Sequence, residues 1–180
     1  MGYFLTSVLL VCTMIFSSGC GYTSASLLPP ELDSIHVKNV KNAINPTQEI
    51  SDKRMSVTYR PGMDVQITRA VIDGFIYDRR LDIKSESKAR MVLESSLTDF
   101  RLYPLSYNRG GSVEEFRVEI VINMKLIDKA DDKVLWEENG FMGQSDYKLS
   151  GPNAMTEAQA IQKAVDDLAQ RVVERTVENW

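Results

Sequence analysis

Chemistry in a protein needs nucleophiles, ligands or acid–base groups at workable spacing, and this sequence offers few. Its 180 residues hold one histidine, His36, and two cysteines, Cys12 and Cys20. That leaves no set for a Cys/His zinc site and no Cys–His nucleophilic pair. His36 stands between Ile35 and Val37 with no second His, the pattern of a surface strand residue. The carboxylates come as neighbours: Glu114-Glu115, Asp131-Asp132 and Glu137-Glu138. Adjacent residues on a strand point to opposite faces, so none of these pairs makes a dyad by itself. The nucleophile elbow, the zinc-protease helix, the phosphate loop and the dinucleotide glycine motif are all missing. The expectation is a non-enzyme with no catalytic residue, no metal and no cofactor.

Binding chemistry is better represented. The stretch Tyr103-Pro104-Leu105-Ser106-Tyr107-Asn108-Arg109-Gly110-Gly111 mixes aromatic rings, a guanidinium and paired glycines. An exposed tip of this kind suits phosphate or sugar, because a planar guanidinium donates two parallel hydrogen bonds. The plainer reading is a hairpin tip whose glycines supply positive φ while the tyrosines cover the core edge.

Cys20 has its own chemistry. Residues 1–19 contain no Asp, Glu, Lys or Arg, and the apolar run Phe4–Phe16 has the length of a signal-peptide core. It falls short of the roughly 20 residues a membrane-spanning helix needs. Ser17-Ser18-Gly19 then precede Cys20, and small residues fit the narrow subsites of a signal peptidase. The arrangement resembles the lipobox of bacterial lipoproteins, although Ser17 stands where Leu is usual and the leader lacks Lys or Arg. In that pattern the Cys20 thiol is acylated by diacylglycerol and the preceding peptide is cut. Cys12 would leave with the leader, so the remaining 161 residues would have no free thiol. Gly21 is not the Asp that resembles an inner-membrane retention signal, so the expected destination is the outer membrane, on its periplasmic side. The expected organisation is a leader over 1–19, a lipidated tether over 20–34 with Pro29-Pro30, and one domain over 35–180.

The elements that would position these residues follow from hydrophobic period. Ile35-His36-Val37-Lys38 alternates as a short strand, and Asn42–Pro61 reads as a loop with a possible element at Met55–Tyr59. Met63, Ile67, Val71 and Phe75 recur every fourth residue, with Ala70 and Gly74 beside them, giving an amphipathic helix to about Arg79. Leu81-Asp82-Ile83 is a brief strand. A strand over Met91–Tyr103, with Leu93, Leu97 and Phe100 inward and a bulge near Asp99, leads to a loop over Pro104–Ser112. Phe116, Val118, Ile120, Ile122, Met124 and Leu126 then alternate with mostly polar residues, a long strand with one buried face. Val134–Tyr147 returns as its hairpin partner. Thr156-x-x-Gln159 is a capping box, and Ile161, Ala164, Val165, Leu168, Ala169, Val172 and Val177 form the stripe of a closing helix. The predicted fold is α+β, a two-layer sandwich with two helices on one face of a mixed, mainly four-stranded sheet.

Charge narrows the function classes. The chain has 21 Lys+Arg against 25 Asp+Glu, net −4, which argues against a general nucleic-acid partner. Residues 33–90 carry 11 cations against 8 anions, and residues 91–180 carry 10 against 16. Arg109 is thus a cation in an acidic half.

From Cys20-Gly21-Tyr22 onward the chain resembles the LPS-assembly lipoprotein family, LptE. The likeness runs through Ile35-His36-Val37, Asn42, Thr47 and the first helix. It continues in Leu97–Tyr107, Glu115-Phe116-Arg117-Val118, Val134-Leu135-Trp136-Glu137 and the helix Ala164–Trp180. The resemblance implies an outer-membrane lipoprotein that plugs the LptD β-barrel, helps it assemble and assists lipopolysaccharide transport to the cell surface. Its partners would be LptD, lipopolysaccharide and the bilayer, the last through acylated Cys20. In the family an Arg between the second and third long strands is implicated in lipopolysaccharide contact, and Arg109 matches it. A second basic residue belongs in the loop before the last helix. Ala154 falls near that position, and Lys148 is the nearest cation. The alternative is a periplasmic-facing lipoprotein adaptor for another envelope complex, without lipopolysaccharide binding.

Overall fold

The computed structural model describes residues 28–44 and 61–178. The leader, Cys20, Thr47 and the Met55–Tyr59 segment lie outside the described residues. The chain forms β1 (Ser34–Val37), β2 (Lys41–Asn42), helix α1 (Met63–Asp78) and β3 (Asp82–Ile83). The long strands β4 (Met91–Tyr107), β5 (Val113–Asp128) and β6 (Lys133–Lys148) and helix α2 (Glu157–Glu178) follow. One six-stranded sheet has the order β3-β1-β4-β5-β6, with β2 also paired to β4. β1 runs parallel to β3 and β4, and the three long strands are antiparallel. The sheet is mixed as expected, with β1, β4, β5 and β6 as its main strands. β2 and β3 add two residues each, and β2 ends on Asn42, where the expected loop was to begin.

Both helices cover one face. The α1 row Met63, Ile67, Val71 and Phe75 is buried, as is the α2 stripe from Ala160 to Val177. They meet Leu93, Leu97, Phe100, Val118, Ile120, Ile122 and Leu126 in a continuous core, which Leu32 joins from just before β1. Burying each such side chain is worth roughly 1.5–3 kcal/mol. Thr68 fixes α1 to the sheet: its hydroxyl donates to Asp64 O at 2.7 Å and accepts from Val40 N at 2.9 Å. The capping box forms, with Thr156 Oγ1 accepting from Gln159 N at 3.2 Å and Gln159 Oε1 from Thr156 N at 2.8 Å. Gly143 brings β6 close against α2. A Cβ there would collide with Leu168 Cβ and lie 2.6 Å from the Ala164 carbonyl oxygen, so only glycine lets β6 approach α2 this closely.

One boundary differs from the sequence reading. β4 does not end at Tyr103 but continues through Pro104 to Tyr107, so the connecting loop shrinks to 108–112. Proline is tolerated because β1 and β2 pair with β4 only as far as Leu97. Beyond that point this edge of β4 has no partner strand among the described residues, and a missing N–H there costs no ladder bond with them. The expected bulge near Asp99 is present, since Thr98 has no partner between Leu97–Ile122 and Asp99–Val121.

Candidate functional site: the hairpin end of the sheet

β4 and β5 carry the 108–112 turn well away from the end where the described chain enters. β1 pairs with the first residues of β4, and the turn lies beyond the last. At about 3.3 Å per residue, the 17 residues of β4 span roughly 50 Å. Asn108 builds the turn. Its Oδ1 accepts from Gly110 N at 2.9 Å and Ser112 N at 3.0 Å, while its backbone N–H donates to Ser112 O at 2.8 Å. Gly111 closes the turn at φ 78°, a conformation that favours glycine. This leaves Arg109 exposed at the apex, with no hydrogen bond or ion pair among the described residues.

The tertiary structure brings Lys148 to the same end. Glu115 pairs with Ser106 of β4 on one side and with Lys148 of β6 on the other. Lys148 also forms a parallel bridge with Ala154, and its carbonyl accepts from Met155 N at 3.2 Å. The cation and the position expected for one in the loop before the last helix are thus neighbours across a bridge. Lys148 is exposed, and its ammonium has no partner among the described residues. Three exposed apolar side chains share this end: Leu105, Tyr107 and Leu149. Leu149 was not singled out from the sequence; an apolar residue after a strand carries no signal of exposure. Phe116 and Tyr147 stack beneath at 5.8 Å between ring centroids and stiffen the platform.

The open sheet face just below is organised differently. Arg117 donates two bonds to Asp146, at 2.6 and 2.7 Å, which raises its pKa and fixes its charge in place. Arg101 donates to Asp99 at 2.7 Å and lies 3.8 Å from Glu119. Glu119 also accepts from the Tyr103 hydroxyl, whose pKa rises through desolvation and then through this bond. These cations are engaged, so Arg109 and Lys148 are the ones at this end able to meet an anion. Their chemistry suits a phosphate-bearing ligand: a guanidinium able to pair bidentately at the apex, and a point charge and exposed apolar groups at the same end.

The other candidates have structural roles. His36 Nδ1 lies 3.1 Å from Lys84 O, tying β1 to the segment after β3. Among the described residues, no group of three or more His, Cys, Asp or Glu could hold a metal ion. No described helix is long and apolar enough to cross a membrane.

A family model for lipopolysaccharide-assembly proteins, LptE, matches residues 34–176, from the start of β1 nearly to the end of α2. The chain belongs to the LptE family. No curated protein matches the sequence. Among solved structures, this LptE-family chain is similar to protein XCC0632 of Xanthomonas campestris, at 14% identity and TM-score 0.52 over 83% of this chain and 88% of that one. It is also similar to the hypothetical protein CT253 of Chlamydia trachomatis, at 9% identity and TM-score 0.51 over 80% and 95%. PelC of Paraburkholderia phytofirmans, a dodecamer, gives 14% identity and TM-score 0.50 over 86% and 96%. At such identities these likenesses establish the fold alone. The LptE match spans every described strand, α1 and nearly all of α2, so Arg109 and Lys148 lie inside the matched region.

Proposed function

We propose that this LptE-family chain is an outer-membrane lipoprotein, anchored through acylated Cys20, that plugs and helps assemble the LptD β-barrel. In this reading its hairpin end contacts lipopolysaccharide phosphates during transport to the cell surface. The observation that carries it is the placement of two cations without partners among the described residues, Arg109 and Lys148, at one end of a fold matched to the family over 34–176. Lipid A phosphates are anionic and accept paired hydrogen bonds from a guanidinium. A barrel lumen is polar, so a plug with a charged sheet face is compatible with it.

Two measurements test the reading. Tagged chain recovered from detergent-solubilised outer membrane should bring down a large heat-modifiable barrel; its absence favours an adaptor for another complex. Arg109→Glu should weaken lipopolysaccharide binding at least about tenfold, the order expected for reversing a charge in a phosphate contact. The circular dichroism spectrum should stay unchanged. Wild-type binding in a folded Arg109→Glu protein would remove the tip from the mechanism.

A further inference from the structure

The outer surface of the helix layer lies away from the hairpin tip and has a different character. α1 and α2 run parallel. Gln66 Nε2 donates to Gln162 Oε1 at 2.6 Å near their starts, and Arg80 donates to Glu178 at 3.0 Å near their ends. Between these ties runs a groove of about 910 Å³. Its floor is Ala70, Gly74, Ala169 and Val173. Gly74 sits so close to α2 that a Cβ would lie 3.1 Å from Val173 Cγ2. No side chain larger than valine stands on this floor, so another backbone can approach it closely. Val65 is 52% exposed and Tyr77 89% exposed, both on the groove wall, leaving apolar surface that nothing in the described chain covers.

The rim is acidic. Asp73, Asp166 and Glu174 line it, and among the described residues the last two accept only from the neutral amides of Gln162 and Gln170. Arg80 is neutralised by Asp78 and Glu178, which leaves Arg69 as the rim cation with no carboxylate partner among the described residues. Apolar floor, exposed aromatic and anionic rim together select an apolar partner with cationic flanks. The groove follows the 16 residues of α1, about 24 Å, and two parallel helices present the channel into which a third packs at 8–10 Å between axes.

We propose that this groove docks a cationic amphipathic helix of a protein partner. Small apolar residues of that helix lie on Ala70, Gly74 and Ala169, Tyr77 closes over its side, and its Lys or Arg flanks pair with Asp73 and Asp166. The inference does not depend on lipopolysaccharide contact at the hairpin tip.

The test uses the full-length chain in detergent and two labelled synthetic helical peptides of about 16 residues, the length of α1. Both carry an Ala/Leu stripe; one has Lys flanks and the other Glu flanks. Fluorescence anisotropy should show saturable binding of the Lys peptide, weakened by high salt, and none of the Glu peptide. The D73K/D166K variant, whose changes fall on exposed positions, should bind the Lys peptide at least about tenfold more weakly and the Glu peptide more tightly. Tyr77→Ala should weaken the Lys peptide with the chain otherwise unchanged. The circular dichroism spectrum and thermal midpoint of D73K/D166K should match wild type, reporting an intact fold. Three results would overturn the proposal: no saturable binding of the Lys peptide, binding indifferent to charge reversal on either side, or self-association that excludes the peptide and assigns the groove to a second copy.

Discussion

The open sheet face and the hairpin end belong to the same sheet but treat charge in opposite ways. On the face, Arg101, Arg117, Lys38 and Lys125 each have a carboxylate within 4 Å, and Glu94 alone serves two lysines. A few residues away, Arg109 and Lys148 have none among the described residues. Cations whose carboxylates are built into the fold have little left for a ligand, since an incoming anion must first displace an existing bond. The unpaired cations are therefore where an anionic ligand gains most, while the paired ones keep a strand surface soluble and in register.

The largest test of this division lies on the far side of the sheet. Gly143→Val should destabilise the fold by about 3 kcal/mol, the upper end of overpacking costs, as measured by chemical denaturation. Both the paired face and the hairpin would weaken together, because β6 carries Asp146 and Lys148 alike. A near-neutral result would mean that β6 does not rest on α2 as described.

Next in size is a crossover between the two arginines. Arg117→Ala should cost up to about 1 kcal/mol, because its pair with Asp146 is partly exposed and screened. Arg109→Ala should change stability by no more than about 0.5 kcal/mol while reducing lipopolysaccharide binding. Equal effects of both variants in both assays would erase the distinction.

The smallest effect concerns pH. Arg90 donates two bonds of 2.7 Å to Asp128, which lowers the Asp128 pKa, with help from the Ala130 backbone N–H. A carboxyl depressed in the folded state contributes stability that is complete above its ordinary value and is lost as pH falls through the folded one. Stability should therefore decline below about pH 4, and Asp128→Asn should flatten part of that decline in acid titrations followed by circular dichroism. An identical acid profile in the variant would show that the pair does not couple to folding.

Much of the fold could be read from side-chain order because its elements are long. The six-step alternation from Phe116 to Leu126 and the four-residue recurrence from Met63 to Phe75 each expose one solution. The two-residue β2 has no period to read. Pro104 argued for a loop because the stretch of β4 that β1 and β2 leave unpaired among the described residues, where proline is harmless, exists only once those strands have stopped pairing. Arg109 could be singled out from the composition of its turn. That it lacks a partner could not be seen, and neither could the engagement of Arg117, which is 29 residues from Asp146.

By itself, then, the sequence determined which residues face inward, where the helices begin, and that Arg109 would sit in a glycine-rich connection. Those properties are local, set by periodicity, capping and turn chemistry within a few residues. The tertiary structure alone decided that Lys148 joins Arg109, that Gly143 must be glycine, and that a groove opens between α1 and α2. Each of these depends on strand register or helix packing between residues far apart in the chain, and no local pattern encodes it.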